Sequence, residues 1–499
     1  MKIGIVCYPT FGGSGVVATE LGIELSKRGH EVHFITYKQP VRLELLGSNV
    51  HFHEVNVPEY PLFHYQPYEL ALSSKLVDMV KLHGIEILHV HYAIPHAYAA
   101  YMARKMLQEE GVYVPIVTTL HGTDITLVGS HPFYKTAVEF SINKSDAVTS
   151  VSDSLKKDTL RLFDIKNTIH VVTNFIDLSK HNHGFTDCQR TMMANDDERI
   201  ITHISNFRPV KRIQDVIKVF NNIQKEIPSK LMMVGEGPEK EMAEELCSKL
   251  GLEGKVVFFG NSNEIDRILC FSDLFILPSE TESFGLAALE AMASGVPVIS
   301  SDTGGIPEVN LNDYSGYLSA VGDIEAMSSN GLAILKNNDT LKRFKHQAKE
   351  QAKKFDIHQI DSIYMQYGRV KTAINQVLKH LEEDLPYSDS LDYYLFDTAL
   401  VYDAGGLTDG TYETLKSTGF DLITNKEIRD LIILVYEEFN PWMNSWEQRY
   451  INMIFNAKRN LFNSRFIDSW NGDYKNRNVI GTMKPVNYED LKKDNEYKI

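Results

Sequence analysis

Cysteine is scarce in this chain: Cys7, Cys188, Cys247 and Cys270 are the only four among 499 residues, and no two of them stand as a CxxC pair. Such spacing excludes a disulfide framework or a cysteine-built zinc site as the organising element, and a reducing, cytoplasmic setting is expected. Long apolar runs are missing too. Nothing approaches the ~18 uninterrupted apolar residues of a membrane-spanning helix. The opening Met1–Tyr8 stretch, one charge and a short apolar run closed by Pro9, is too short for a signal peptide. Positive charge is in deficit, with 51 Lys and Arg against 66 Asp and Glu and a formal net charge of -15. A field of that sign repels polyanions, so neither nucleic acid nor insertion into a membrane is expected, and cationic chemistry is confined to local pockets. No internal repeat is visible.

What is present is the balance of a folded globular protein, 43% hydrophobic and 23% charged residues. At ~150 residues per domain, the length accommodates two to four units. Lys2 to Cys7 reads as a buried strand, followed by the loop Gly12-Gly13-Ser14-Gly15, a helix over Val16 to Arg28 and a strand over Val32 to Thr36. The alternation continues with a helix over Gln66–His83, a strand over Ile85–His91, a helix over His96–Gln108, and strands at Val114–Leu120, Ala147–Val151 and Ile169–Val172. A second series has strands at Ile200–Ser205, Leu231–Val234, Val256–Phe259, Leu274–Leu277 and Val298–Ser300, with Glu239–Leu250 among its helices. Strand–helix alternation of this kind predicts parallel sheets covered on both faces, hence an α/β class with two Rossmann-like doubly wound domains facing across a cleft. The expected boundaries are 1–180 for the first domain, 181–198 for a polar linker, 199–355 for the second domain and 356–380 for a closing helix. Residues 384–499 read as a mainly helical appendage, with helices over Lys426–Phe439 and Trp446–Phe462 and turns at Ala404-Gly405-Gly406 and Asn471-Gly472-Asp473. No catalytic constellation is visible in it.

The most specific signal is the run from Pro278 to Val298. It places Glu282 at the mouth of a helix and Glu290 two turns along it, with the backbone N–H groups of Phe284, Gly285 and Leu286 at the helix N-terminus, where a bound anion is favoured. Such a mouth can seat a diphosphate. After the first strand of the second series, Ser205-Asn206-Phe207-Arg208-Pro209-Val210-Lys211 offers two cations, although standing alone they would read only as a solvated turn. Gly12-Gly13-Ser14-Gly15 does not satisfy the GxGxxG dinucleotide fingerprint. Histidines spaced i, i+2 occur at His51/His53, His89/His91 and His181/His183, but no third ligand pattern accompanies them, so no metal site is expected.

These motifs resemble the glutamate, seven residues, glutamate signature of retaining glycosyltransferases of family four, which have the two-Rossmann GT-B fold. The resemblance implies that Glu290 holds the nucleotide ribose and that Glu282 lies beside the donor sugar. It makes Arg208 and Lys211 the diphosphate clamp, and places the loops at Gly235 and Asn261 around the nucleotide and Gly13 toward the donor phosphates. His121, in Thr119-Leu120-His121-Gly122-Thr123-Asp124, resembles the family histidine near the donor sugar. GT-B transferases characteristically work without a divalent cation, so neither cofactor nor metal is expected.

The stretches from Phe11 to Gly22, His89 to Ala97 and His121 to Gly129 resemble one subgroup closely, over roughly residues 1–378. That likeness implies UDP-GlcNAc as donor and the hydroxyl of L-malate as acceptor, with Ser14, Tyr92, Thr119 and Asn206 as acceptor-binding positions. Asn174-Phe175-Ile176-Asp177 departs from the family's Asn-Gly-Ile-Asp, which questions the backbone of that turn. Two alternatives stay open: a family-four enzyme with another small or lipid-linked acceptor, or a scaffold whose tail is the working part. A homo-oligomer is also left open.

Overall fold

The structure is a computed structural model that describes residues 1–10, 12–43, 49–57, 66–181, 190–358, 466–473 and 478–485. Residues 1–360 form one compact unit and 361–499 another. The first unit contains two parallel sheets. Strands β1 (Lys2–Val6), β2 (Glu31–Thr36), β3 (Val50–Glu54), β4 (Ile87–His91), β5 (Ile116–Leu120), β6 (Ala147–Ser150) and β7 (Ile169–Val171) assemble in the order β3-β2-β1-β4-β5-β6-β7. Strands β8 (Arg199–Ile204), β9 (Ser229–Val234), β10 (Val256–Gly260), β11 (Leu274–Leu277), β12 (Val298–Ser301) and β13 (Gly316–Ser319) assemble as β10-β9-β8-β11-β12-β13. In each sheet the order reverses once, between β1 and β4 and between β8 and β11, and a crevice opens there beyond the carboxyl ends of the strands.

The elements follow from local chemistry. The β11 run Leu274-Phe275-Ile276-Leu277 is buried at every position, as a central parallel strand with helices on both faces must be. The helix Asp153–Leu162 starts where Ser152 accepts the Leu155 N–H at 3.0 Å, and Asn337 caps Asn338–Lys353 in the same way through the Asp339 and Thr340 N–H groups. Phe34 in the first lobe and Phe207, Phe220, Phe275 and Phe344 in the second are fully buried, each stabilising the fold by about 1.5–3 kcal/mol. The two lobes share one continuous apolar cluster that includes Ile125, Leu155 and Ile176 from the first and Phe284, Leu289 and Phe355 near the second. The chain also returns to the first lobe at its end. Ile176 donates to the Phe355 carbonyl at 2.9 Å, and Ile357 donates to the Ile176 carbonyl at 2.9 Å.

The differences from the sequence reading are physical ones. The edge strands β3 and β13 were not anticipated, because one is half polar and the other is a four-residue segment opened by Gly316. Glu290 is the fifth residue of the helix Leu286–Ala293, so it lies about one turn along and not two. Phe175 is accommodated without the left-handed backbone that a glycine there would allow. Cys7 and Cys247 are free and buried, but Cys270 is disulfide-bonded, contrary to the expectation from cysteine spacing. In the linker Arg190–Met192 forms a short 3-10 turn, while 182–189 lie outside the described residues, as do the closing helix beyond residue 358 and the appendage helices over Lys426–Phe439 and Trp446–Phe462. What is described of the second unit is an antiparallel pair, β14 (Phe466–Asp473) with β15 (Asn478–Pro485), so Asn471-Gly472-Asp473 ends a strand where a turn was expected. Among the described residues no helix is long and apolar enough to cross a membrane.

Candidate active site

The two crevices face each other, and both are lined by the loops that follow the switch-point strands. In the second lobe the Glu280 N–H donates to the Val210 carbonyl at 2.8 Å, tying the loop after β11 to the loop after β8. That bond brings the two halves of the charged site together. Lys211 Nζ donates to Glu282 Oε2 at 2.5 Å, with Ser279 Oγ 3.3 Å from the same oxygen. Both side chains of the pair keep less than a fifth of their surface exposed. Asn206, with its amide oxygen turned toward Arg208, accepts from Nε at 2.9 Å and Nη2 at 2.5 Å, so that guanidinium is held in place.

Two glycines that the motif reading did not single out, Gly304 and Gly305, seat Glu282. The Gly305 N–H donates to the Glu282 carbonyl at 2.9 Å, and a Cβ on Gly304, at φ +57, would lie 1.9 Å from that oxygen. Gly235 has the same relation to the β8 loop, since a Cβ there would meet the Ser205 carbonyl at 1.8 Å. The loop after β9 is thereby packed against Ser205–Phe207. Asn261 follows β10 in an exposed position. Phe284 is buried, edge-on to Phe355 at 5.7 Å, and Gly285, at φ +95, turns the chain into the helix at Leu286. The first-turn N–H groups of that helix have no intrahelical acceptor. Glu290 is 8% exposed and accepts from Arg42 Nη2 at 3.2 Å, across 248 residues of sequence. Burial raises its pKa, against the Arg42 charge beside it.

The first lobe meets this surface closely. A Cβ on Gly13 would lie 3.6 Å from Leu286 Cδ2, and one on Gly122 would lie 2.7 Å from Ser283 Cβ. Ser152 Oγ donates to the Ser283 carbonyl at 2.6 Å, while the Glu308 carboxylate accepts the Asp153 and Ser154 N–H groups at 3.0 and 2.9 Å. The glycine loop and the His121 turn are therefore brought to the mouth of the Glu290 helix. Ser14 Oγ and the Tyr92 hydroxyl share a hydrogen bond of 2.9 Å, and Tyr92 stands at φ +88, a strained backbone at the end of β4. Thr119 is less available. Its hydroxyl is engaged within the sheet by His89 Nε2 at 2.8 Å and Thr149 Oγ1 at 2.7 Å.

His121 belongs to a buried histidine cluster. Its Nε2 lies 2.8 Å from His91 Nδ1, and its ring is 5.3 Å from that of Tyr92. His96 Nδ1 donates to the His91 carbonyl at 2.6 Å. Burial pushes the pKa of His121 down to about 3 and those of His89 and His96 to about 4, with His91 also well below the usual range, so all four are neutral rings near pH 7. Asp124, missed as a contributor, organises this corner. Its carboxylate accepts from Ala93 N at 2.8 Å, Gly122 N at 3.0 Å and His121 N at 3.1 Å, which locks the loop after β4 to the loop after β5. Burial raises its pKa to about 6 despite those donors.

An arrangement of fixed cations, a helix mouth and a neutral polar wall can hold a diphosphate on one side and an uncharged group or a hydroxyl nucleophile on the other. Comparison with known proteins agrees with that chemistry. The family model described as Glycosyltransferase Family 4 matches residues 11–180, and that described as Glycosyl transferases group 1 matches residues 189–351. The chain is 45% identical over 371 residues to the N-acetyl-alpha-D-glucosaminyl L-malate synthase of Bacillus anthracis, an alignment covering 74% of this chain and 96% of that protein. It is 25% identical over 349 residues to the sulfoquinovosyl transferase SQD2 of Arabidopsis thaliana, covering 66% of this chain and 65% of that one. Among solved structures, the Anabaena protein HepE in complex with UDP and glucose superposes with a TM-score of 0.62 at 18% identity, covering 73% of this chain and 98% of that one. The last likeness speaks to the fold.

Proposed function

We propose, from the premise that this chain belongs to glycosyltransferase family 4, that it moves GlcNAc from UDP-GlcNAc to the hydroxyl of L-malate with retention at the anomeric carbon, the first step of bacillithiol biosynthesis. The observation that carries the reading is the Lys211–Glu282 pair, 2.5 Å apart at the ends of the two switch-point strands of the second sheet. The choice of malate rests on the 45% identity to the malate synthase, which extends over 96% of that relative.

In the proposed reaction the bond between the sugar C1 and the β-phosphate oxygen breaks, and the malate oxygen bonds to C1 on the face the phosphate leaves. The hydroxyl proton passes to a β-phosphate oxygen. Arg208, Lys211 and the first-turn N–H groups of the Leu286 helix take up the negative charge of departing UDP, so the reading needs no divalent cation. Glu282 keeps Lys211 aimed into the cleft. Glu290 accepts from the ribose hydroxyls, a role open to a carboxylate that otherwise pairs with Arg42. Gly13, Gly235 and Asn261 line the nucleotide, and His121, neutral at working pH, hydrogen-bonds the sugar without adding charge. Ser14 and Tyr92, with Asn206 and Thr119, form the acceptor side. Both substrates are small charged solutes, and the cytoplasm is the compartment we assign to the reaction.

The test is to incubate the purified chain with UDP-GlcNAc and a panel of acceptors in the presence of EDTA. UDP should form with L-malate and not with inositol phosphate, and the glycoside should show the α configuration by NMR. Donor consumed without any acceptor, equal rates across the panel, or a β product would overturn the proposal.

A further inference from the structure

At the β2–β3 edge of the first sheet, away from the β1/β4 switch point, histidines converge that the transferase reaction does not use. His33 lies on β2, His51 and His53 lie two apart on β3, and His83 is the last residue of the helix Tyr68–His83. The third ligand absent from the local His51/His53 pattern is supplied by other elements. The His33, His53 and His83 rings have centroids 4.7–5.1 Å apart, and one donor atom from each lies within 4.8 Å of the other two. The far side of the His33 ring is already fixed. Its Nε2 is 3.1 Å from Glu31 Oε1, and the other oxygen of that carboxylate is 3.2 Å from Lys2 Nζ.

A carboxylate can only accept, so the hydrogen sits on His33 Nε2, and Nδ1 presents a lone pair toward His53 Nε2, 2.8 Å away. A histidine that donates one ring N–H to a carboxylate and turns the other nitrogen toward further imidazoles has the outer-sphere support of metal-binding histidines. The His33 side chain is fully buried and so presents that nitrogen in one orientation, whereas His53 and His83 are half-buried and leave a route for an ion. Four-coordinate zinc, bound at about 2.0–2.1 Å, sets its donors roughly 3.3 Å apart. The donor atoms here bracket that spacing, 2.8 Å between His33 Nδ1 and His53 Nε2 and no more than 4.8 Å within the set.

We propose that His33 Nδ1, His53 and His83 form a binding site for a divalent transition-metal ion, zinc being the best match, with Glu31 as its outer carboxylate. Three neutral imidazoles suit zinc and leave a fourth position for water. Because the ligands come from β2, β3 and a helix end, the ion would cross-link the edge of the first lobe. It is separate from the chemistry of the cleft.

The test uses the full chain without a polyhistidine tag, stripped with chelator and titrated with Co²⁺ as the visible stand-in for zinc. Stoichiometric binding with the intense ligand-field bands of four-coordinate cobalt, displaced by Zn²⁺, is expected. The bands should vanish in His53→Ala and in His83→Ala, both half-buried positions whose fold is checked by circular dichroism. Glu31→Gln should retain the bands with affinity about 10–100-fold weaker. No binding, the pale spectrum of six-coordinate cobalt, or bands that survive both histidine substitutions would overturn the proposal.

Discussion

The two lobes line the same cleft with different electrostatics. The second contributes formal charges, Arg208 and Lys211 against Glu282 and Glu290, held by backbone turns that glycine makes possible. The first contributes one cation, Arg42, paired with Glu290, while around His121 it offers rings that burial keeps unprotonated, His121 backed by His89, His91 and His96, with the Ser14–Tyr92 hydroxyl pair and the Asp124 carboxylate engaged by three backbone N–H groups. Charge is placed where a diphosphate would leave, and a neutral wall where a hydroxyl would attack. That division suits a transferase, because an unpaired cation on the acceptor side would compete for the leaving group, and an unpaired carboxylate there would repel a dianionic acceptor.

The sharpest way to break the comparison is acid. The first-lobe histidines have folded pKa values of about 3 to 4, below the ordinary value of 6.5. Their neutral burial therefore stabilises the fold above pH 6.5, and that stability is lost as pH falls through 6.5 toward 4. At 1.36 kcal/mol per unit each histidine accounts for roughly 3–5 kcal/mol, less where neighbouring rings titrate together. Among the described residues the second lobe has one such group, His203, which is held by the Ile276 carbonyl and Ser205. Hydrogen exchange between pH 7 and 4 should show β4 and β5 losing protection before β8 and β11; simultaneous loss, or the reverse order, refutes the contrast.

Next in size is the charge itself. Lys211→Ala removes one preorganised cation and should lower turnover about 10²–10³-fold. A variant that keeps near-full turnover would show that the charged lobe does not act on the leaving group.

How much of this was legible beforehand also divides by lobe. Residues 278–298 carry Glu282, the helix mouth and Glu290 in a single continuous stretch, and the β8 loop carries Arg208 and Lys211 three positions apart. Local spacing was enough to find them. The first lobe's wall is assembled by strand register. His91 lies opposite Thr119 in the β4–β5 ladder, which is what brings His91 to His121, and a pairing across 30 residues leaves no mark on local periodicity. Arg42 reaches Glu290 across the cleft, and Asp124 grips the Ala93 N–H, for the same nonlocal reason. The histidine pair on β3 was visible as a pair, but its partners come from β2 and a helix end.

Asp124 sharpens the comparison because its pH dependence has the opposite sign to that of the histidines around it. Its folded pKa of about 6 lies above the ordinary 3.8, so its contribution is complete below pH 3.8 and is lost as pH rises through 6. That shift corresponds to roughly 2–3 kcal/mol. Asp124→Asn abolishes the titration, though its amide N–H₂ then confronts a backbone donor. The stability gap between wild type and Asp124→Asn, followed by thermal unfolding, should therefore narrow from pH 4 to pH 7. A gap independent of pH would mean that the carboxylate is ionised throughout.

The smallest effect is expected outside both lobes. The malate synthase relative aligns over 96% of its own length with 74% of this chain, so a protein of that extent has no counterpart for most of residues 384–499. Both sheets, both switch points and every residue assigned to the cleft lie within residues 1–360. Truncation after Lys379 should leave kcat and KM for both proposed substrates unchanged. If turnover collapses while the circular dichroism of the truncated chain stays that of a folded α/β protein, the neutral wall and the charged clamp are not sufficient together, and the second unit must contribute to the reaction. If KM for the acceptor alone rises, the contribution is to the acceptor side of the cleft, where hydroxyls and neutral rings predominate.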